Sequence, residues 1–295
     1  RSLSQNMHKP VLLKESIEGL DLKAGEIFID GTFGAGGHSK EVLRHFPTVK
    51  VIGLDRDPAV AKAMAGKPED FDVRTMSFAD IDELGIKADA ILLDIGISSD
   101  QLDSVGLPAG RQGRGFSFQK EEPLDMRMSS AGLTAAEILN SWDEPAIELI
   151  LRGFGEEKYS RRIAHEIVRR REMKPFETTS ELVEAVSASV PMYYKRDRIN
   201  PATRTFQALR IAVNEELTAL EIGLPKAFEI LNPSGRLAVI SFHSLEDRIV
   251  KNFFRDKAKE GTAKLINKKP ITPSEGEIAT NPRSRSAKLR ILEKL

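Results

Sequence analysis

The sequence predicts an α/β protein, with a Rossmann-like, doubly wound parallel sheet and a helical insert between its fourth and fifth strands. Three observations predict it. Short apolar runs alternate with helical candidates over residues 26 to 96, the glycine-rich turn "DGTFGAGGHS" follows the first run, and residues 97 to 234 separate the fourth run from the fifth. Alternation implies parallel strands, because those need crossover helices. The last interval is far too long for one crossover.

The runs "EIFIDG" (26 to 31), "KVIGLD" (50 to 55), "DVRTMSF" (72 to 78), "ADAILLDIG" (88 to 96) and "GRLAVISFH" (235 to 243) each have strand length, and "KLRILEK" can add a last strand. Helical candidates such as "GHSKEVLRHF" and "DPAVAKAMAG" lie between them. In the long interval, Thr134 stands three before Glu137 and Thr178 three before Glu181, both capping-box spacings, and Ile163, Ile167 and Val168 share one helical face with arginines around the other. The expected organisation is a sheet domain in two parts, 1–104 and 201–295, around a helical insert at 105–200. A helix from Thr203 to Ala219, with Phe206, Leu209, Val213 and Leu217 at helical spacing, is expected to lead into the fifth strand. "GLPAGRQGRG" reads as a mobile loop.

A chain of 295 residues with 40% hydrophobic content can bury a substantial core without staples. It has no cysteine, which removes disulfides and thiolate metal sites, and no metal-ligand set is singled out. No apolar run has membrane-spanning length and no signal segment opens the sequence, so a cytoplasmic protein without a membrane partner is expected. Formal charge is zero, yet it is unevenly spread. Seven basic residues face two acidic ones from Lys158 to Lys174, and twelve face five from Lys251 to Leu295; "YYKRDRINPATRTFQALR" lies between, with Tyr193 and Tyr194 interleaved. One such run is equally well a solvated helix face, whereas three suggest a nucleic-acid partner.

The glycine turn narrows the ligand. A strand ending in Asp30, then Gly34, Gly36 and Gly37 and a helix starting near His38, offers close backbone approach and unpaired N–H groups, and Asp55 at the end of the second strand can accept both hydroxyls of a ribose. That combination fits an adenosine-bearing cofactor. The third glycine of the dinucleotide fingerprint is missing, since His38, Ser39 and Lys40 follow Gly37, and Asp30-x-x-x-Gly34-x-Gly36 favours S-adenosylmethionine over a nicotinamide dinucleotide. Asp94 ends the fourth strand, so Asp30, Asp55 and Asp94 should meet in one crevice beyond the strand ends. The fifth strand brings His243, Ser244, Glu246, Asp247 and Arg248 to the same edge.

Taken together, "HKPVLLKE", "DGTFGAGGHS", "LDRDP", "LLDIGISSDQLD", "RGFSF", "PLDMRM", "ATRTFQALRIAVNEEL", "ISFHSLEDRIVK" and "NPRSRSAKLR" resemble the bacterial 16S ribosomal RNA cytosine-N4 methyltransferase family, MraW, over His8 to Arg290. The resemblance implies methyl transfer from S-adenosylmethionine to the exocyclic amine of a cytidine at the decoding centre of the small ribosomal subunit. It also implies a cofactor site at Gly37, His38, Ser39, Asp55, Phe78, Asp94 and Gln101, to which the residue reading adds Asp30, Gly34 and Gly36. One departure is the stretch "SVGLPAGRQG" between "QLD" and "RGFSF", beside the expected active site.

For the chemistry, Asp94 is the first candidate proton acceptor, with Asp125 and His243 next, because Asp94-Ile-Gly-Ile stands where many amino-methyltransferases carry an Asp/Asn-Pro-Pro-aromatic motif. Phe116 and Phe118 are candidates to stack on a base drawn out of its helix, and equally candidates for the core. Arg127, Arg169, Arg170, Arg204 and Arg248 are candidates to hold the RNA. The rival reading is a non-catalytic RNA-binding assembly factor that keeps a nucleotide-binding fold. Oligomeric state is left open, a homodimer included.

Overall fold

The computed structural model describes residues 10–65, 71–96, 113–129, 131–196 and 200–295. Gln101 and nearly all of the "SVGLPAGRQG" stretch lie outside them, as does His8. The chain divides into two compact units, Arg1–Gly96 with Leu217–Leu295, and Ile97–Glu216. No helix among the described residues is long and apolar enough to cross a membrane.

The first unit is a seven-stranded sheet. In chain order it contains α1 (Leu13–Leu20), β1 (Ile27–Asp30), α2 (Gly37–His45), β2 (Lys50–Asp55), α3 (Pro58–Met64), β3 (Asp72–Thr75), a 3-10 helix (Phe78–Leu84) and β4 (Ala88–Asp94). It resumes with most of α10 (Glu216–Ile230), then β5 (Leu231–Ser241), α11 (Ser244–Lys259), β6 (Ala263–Leu265), α12 (Glu275–Thr280) and β7 (Lys288–Lys294). Strand order is β3-β2-β1-β4-β5-β7-β6. The pairings among β1 to β5 are parallel, and β7 runs antiparallel to both β5 and β6. Order reverses between β1 and β4, which creates a switch point where ligands bind beyond the strand ends.

Alternate residues of each strand feed two apolar layers. Ile29, Ile52, Ile91, Leu93 and Val239 pack with Leu220 and Leu224 of α10 and Phe254 of α11, whereas Phe28, Val51, Leu92 and Ile240 pack with Ile17 of α1 and Val42 of α2. Strands buried on both faces read as continuous apolar runs, which is why they stand out in the sequence.

The second unit is helical: α4 (Ala135–Ser141), α5 (Glu144–Gly153), α6 (Ser160–Arg171), α7 (Thr179–Ser189), α8 (Met192–Lys195) and α9 (Ala202–Asn214). Both predicted capping boxes form. Glu137 accepts from the Thr134 N–H at 2.7 Å and Glu181 from the Thr178 N–H at 3.1 Å.

The single helix expected over Thr203 to Ala219 is two helices. Glu215 takes a left-handed conformation, φ 49°, and ends α9. Asn214 locks the break, donating to the Met126 and Arg210 carbonyls at 2.8 and 2.9 Å and accepting from the Met128 N–H at 2.7 Å. Arg210 spans it with two 2.8 Å hydrogen bonds to Glu216. Because Phe206 and Leu209 belong to the helical core, α9 sits in the second unit, which therefore extends past the expected boundary at 200. The crossover into β5 is α10.

Candidate functional site

At the switch point, β1 and β4 deliver Asp30 and Asp94 from adjacent strands. Asp30 is 2% exposed and accepts from the Ser39 hydroxyl at 2.7 Å and the Thr32 N–H at 3.3 Å. Burial pushes its carboxyl up to about 6 against those hydrogen bonds, with Asp55 adding like charge. Asp94 is pushed up to about 7, by burial first and the Asp30 charge second, with Glu246 adding and the Gly96 N–H opposing. Its side chain keeps 22% exposure, so it stays reachable. Thr32 clamps the two strand ends together, its hydroxyl accepting the Asp94 N–H at 2.6 Å.

His38 lies in the first turn of α2, buried, with Nε2 3.1 Å from the Val11 carbonyl and Nδ1 3.9 Å from Asp94. The carbonyl can only accept, which places a proton on Nε2 and aims Nδ1 at Asp94. α2 has no side-chain cap, and Gly36, at φ 72°, opens it in a left-handed conformation. Its leading N–H groups carry the partial positive charge that suits a carboxylate.

These glycines also serve packing, which the sequence reading did not anticipate. The Phe33 ring lies over Gly36 and Gly53, so a Cβ on either would come within 2.6 and 2.3 Å of it, and one on Gly37 would meet Pro10 at 2.3 Å. Close backbone approach is thus partly to the protein itself. Asp55 fixes the loop, accepting from Gly34 N–H at 2.9 Å and from Asp57 N–H at 2.8 Å. A carboxylate offers about four acceptor positions, so these bonds are compatible with a ribose contact while setting its orientation. Phe78 is half-buried at the start of the 3-10 helix, with Arg56 6.0 Å over its ring and Gly223 of α10 so close that a Cβ there would meet the ring at 2.5 Å.

His243 is the N-cap of α11. Its Nδ1 accepts the Glu246 N–H at 3.4 Å, while Glu246 accepts from the Phe242 and His243 N–H groups at 2.7 and 3.2 Å. The ring proton therefore sits on Nε2, 2.9 Å from Glu246 Oε1 but without an aligned hydrogen bond among the described residues. This geometry makes His243 a helix cap first. Asp247 is held by Arg290 at 2.7 Å and joins α11 to β7, and Arg248 is exposed on α11.

Two carboxylates with raised proton affinity, Asp30 buried and Asp94 half-buried, mark a crevice short of positive charge. Such a pair fits a cationic ligand, and the uncapped helix and Asp55 fit a carboxylate and a ribose beside it. The family decides among ligands of that description, because the profile of the MraW methylase family matches residues 5–295. The chain belongs to the MraW methylase family. A relative named ribosomal RNA small subunit methyltransferase H from Synechococcus elongatus is 48% identical over 98% of this chain and 95% of its own. A protein of the same name from Heliobacterium mobile is 47% identical over 98% and 99%. Among solved structures, a putative methyltransferase from Streptococcus mutans in complex with SAH covers 98% of this chain and 100% of its own at 14% identity and a TM-score of 0.44. Members of this family are S-adenosylmethionine-dependent methyltransferases, which is the cofactor expected from the glycine turn.

The charge of the crevice gives a pH dependence. A cation favours the ionised carboxylates, so S-adenosylmethionine affinity should fall, by roughly tenfold per pH unit for each proton displaced, as pH drops below the raised values near 6 and 7. Calorimetry between pH 5 and 7.5 in buffers of different ionisation enthalpy should record proton release on binding. The same shifts govern the ligand-free protein, where stability contributed by the protonated carboxyls is complete below about pH 4 and is lost as pH rises through about 6 to 7.

In the helical unit, most of the other candidates are already engaged. Asp125 is gripped by Arg127, whose Nε and Nη2 donate at 2.8 and 2.9 Å, and although burial works upward, that guanidinium holds the carboxyl below its ordinary value. Asp125 is therefore a poor proton acceptor, and Arg127 is its partner. Phe116 is buried in the helical core, and Phe118, half-buried, packs edge-on against Phe206 with centroids 5.7 Å apart, so the contacts both make are core contacts. "RGFSF" and "PLDMRM" interlock, with Arg114 donating to the Arg127 and Met128 carbonyls at 3.1 and 3.0 Å. Arg204 donates to the Tyr194 hydroxyl at 2.9 Å and lies over its ring.

The basic run on α6 is likewise divided. Glu166 pairs with Arg169 at 2.8 Å and with Arg170 at 2.7 Å, and Lys174 pairs with Glu181. Arg171 donates to the Leu139 and Trp142 carbonyls at the end of α4. Arg171→Glu should lower stability by about 2 to 4 kcal/mol, because two carbonyls lose their donor and gain a repelling carboxylate. Arg169→Glu, at an exposed pair, should cost about 1 kcal/mol or less. Urea denaturation of the two variants checks the contrast.

Proposed function

We propose that this protein transfers the methyl group of S-adenosylmethionine to N4 of a cytidine in the 16S ribosomal RNA of the small subunit. The observation that carries the catalytic reading is the pair of carboxylates at the switch point, Asp30 buried and Asp94 half-buried. The name shared by relatives that match nearly the whole chain supports ribosomal RNA of the small subunit as the substrate. A binding-only assembly factor would gain nothing from two carboxylates whose burial lowers stability at neutral pH.

When bound, S-adenosylmethionine supplies an electrophilic methyl on a cationic sulfur. The chain must then bind that charge, orient the amine and take up its proton. Asp30, buried and oriented by Ser39 and Thr32, contributes fixed negative potential. Asp94, kept ionised while the positive charge sits beside it, accepts a hydrogen bond from N4 and aligns the nitrogen, whose lone pair is otherwise delocalised into the ring. As positive charge passes to N4, the burial that raises the Asp94 pKa favours capture of the proton. His38 holds a fixed tautomer against Asp94, and His243 keeps the β5–α11 corner in shape.

The test uses small subunits from cells lacking the protein, incubated with methyl-labelled S-adenosylmethionine and purified enzyme. Label should enter 16S RNA as N4-methylcytidine, and calorimetry should show binding of S-adenosylmethionine but not NADH. Binding without any label transfer would return the protein to the assembly-factor reading.

A further inference from the structure

The basic residues of the helical unit divide into those paired internally and those that are not, and most of the second group lie next to Tyr159 and Tyr193 in the chain. Arg169, Arg170, Arg171, Lys174 and Arg204 are each committed to a partner. Lys158, Arg161, Arg162, Lys195 and Arg196 are exposed and have no ion-pair partner among the described residues. Lys158, Arg161 and Arg162 neighbour Tyr159 in the chain and Lys195 and Arg196 neighbour Tyr193, and the two tyrosines touch. Tyr159, at the start of α6, and Tyr193, in α8, meet through their hydroxyls, and Arg162 lies 5.9 Å over the Tyr159 ring.

The outer face is unusually open. Tyr193 is 70% exposed and the adjacent Met192 62%. Its underside is fixed. Tyr159 packs edge-on against Tyr194 at 5.0 Å, and the buried Glu157 accepts the Tyr194 hydroxyl at 2.9 Å and the Tyr159 N–H at 2.8 Å. An aromatic ledge held from below, with Arg162 over one ring and four further exposed cations adjacent to it in the chain, has the make-up of a platform for unpaired nucleotides, where rings stack on bases and cations hold phosphates.

We propose that the ledge formed by Tyr159, Met192 and Tyr193, with Lys158, Arg161, Arg162, Lys195 and Arg196 around it, binds an unpaired segment of the substrate RNA. A base stacks on the exposed Tyr193 ring, and the flanking phosphates lie on the five cations. The duplex form offers no open base face, so the ledge selects single-stranded over paired RNA. The inference rests on RNA being the substrate, and it assigns a recognition element separate from the methyl-transfer residues.

The experiment measures anisotropy of a fluorescein-labelled single-stranded RNA of mixed sequence and of a hairpin of equal length, with the whole protein and its variants. Tyr193→Ala should weaken single-strand binding about tenfold and hairpin binding little, while Tyr193→Phe, which keeps the ring, should bind like wild type. Arg162→Glu with Lys195→Glu should reduce the salt slope by about 0.7 for each phosphate that the protein no longer holds. Affinity for S-adenosylmethionine and the unfolding midpoint should stay unchanged in all of them. Equal single-strand binding by wild type and Tyr193→Ala would overturn the ledge while leaving the methyl-transfer reading intact, as would equal weakening of both RNAs or a change in oligomeric state in place of RNA affinity. Wild-type protein that binds the single strand through Tyr193 but transfers no methyl to small subunits would instead remove the reading on which the inference rests.

Discussion

Asp94→Asn should lower single-turnover methyl transfer by about a hundredfold or more at saturating S-adenosylmethionine and small subunits, with RNA affinity unchanged. The substitution preserves shape and one hydrogen-bond acceptor. It removes the charge that faces N4 as that nitrogen becomes positive, so the loss falls on the transition state. Two companions sharpen the result. In wild type, kcat/KM should rise with pH towards a plateau above about 7, since only the ionised Asp94 can accept a proton and its carboxyl titrates there in the free enzyme. In Asp94→Asn the limb near 7 should disappear, leaving the fall near 6 that Asp30 imposes through cofactor binding. His243→Ala should cost less, because His243 caps α11 through its Nδ1 and Glu246 and acts on the shape of the corner. A wild-type rate in Asp94→Asn beside a collapse in His243→Ala would move the chemistry to the "SFHSLEDR" segment.

Asp55→Ala should weaken S-adenosylmethionine binding by roughly tenfold to a hundredfold, about 1.5 to 3 kcal/mol, the range for losing a charge-assisted hydrogen bond. Part of that loss has a second origin, since Asp55 also receives the Gly34 and Asp57 N–H groups and holds the glycine loop. A 2′-deoxyribose analogue separates the two. Wild type should prefer the natural cofactor over the analogue, and Asp55→Ala should lose that preference if the carboxylate grips the ribose. A preference kept in full would leave Asp55 as a loop anchor only.

The sheet was legible because strands buried on both faces are apolar along their length, as "AILL" and "LAVI" are, and because both capping boxes are local spacings that need no tertiary partner. The break at Glu215 was not, since what fixes it is Asn214 reaching back to Met126 and Met128, far away in sequence. β6 is three residues long and carries no pattern of its own. In the site, the carboxylates at strand ends were readable from position alone. Thr32, Phe33 and Arg56 were missed, because a hydroxyl clamp, a ring lying on two glycines and a cation over Phe78 are relations between elements. The charge runs point to the nucleic-acid partner but overstate how many cations are available to it, for a related reason. A count of basic residues does not know that Arg290 and Lys288 serve Asp247, that Lys294 donates to three carbonyls, or that Arg171 serves α4.

Methylation of cytidine N4 in 16S RNA by this protein is tested most directly by nucleoside mass spectrometry of 16S RNA from cells lacking it, complemented with wild type or with Asp94→Asn. N4-methylcytidine should disappear from the RNA of the deleted strain, return with wild type, and stay absent or strongly reduced with Asp94→Asn. Undiminished N4-methylcytidine in the deleted strain, or full restoration by Asp94→Asn, would contradict the assignment.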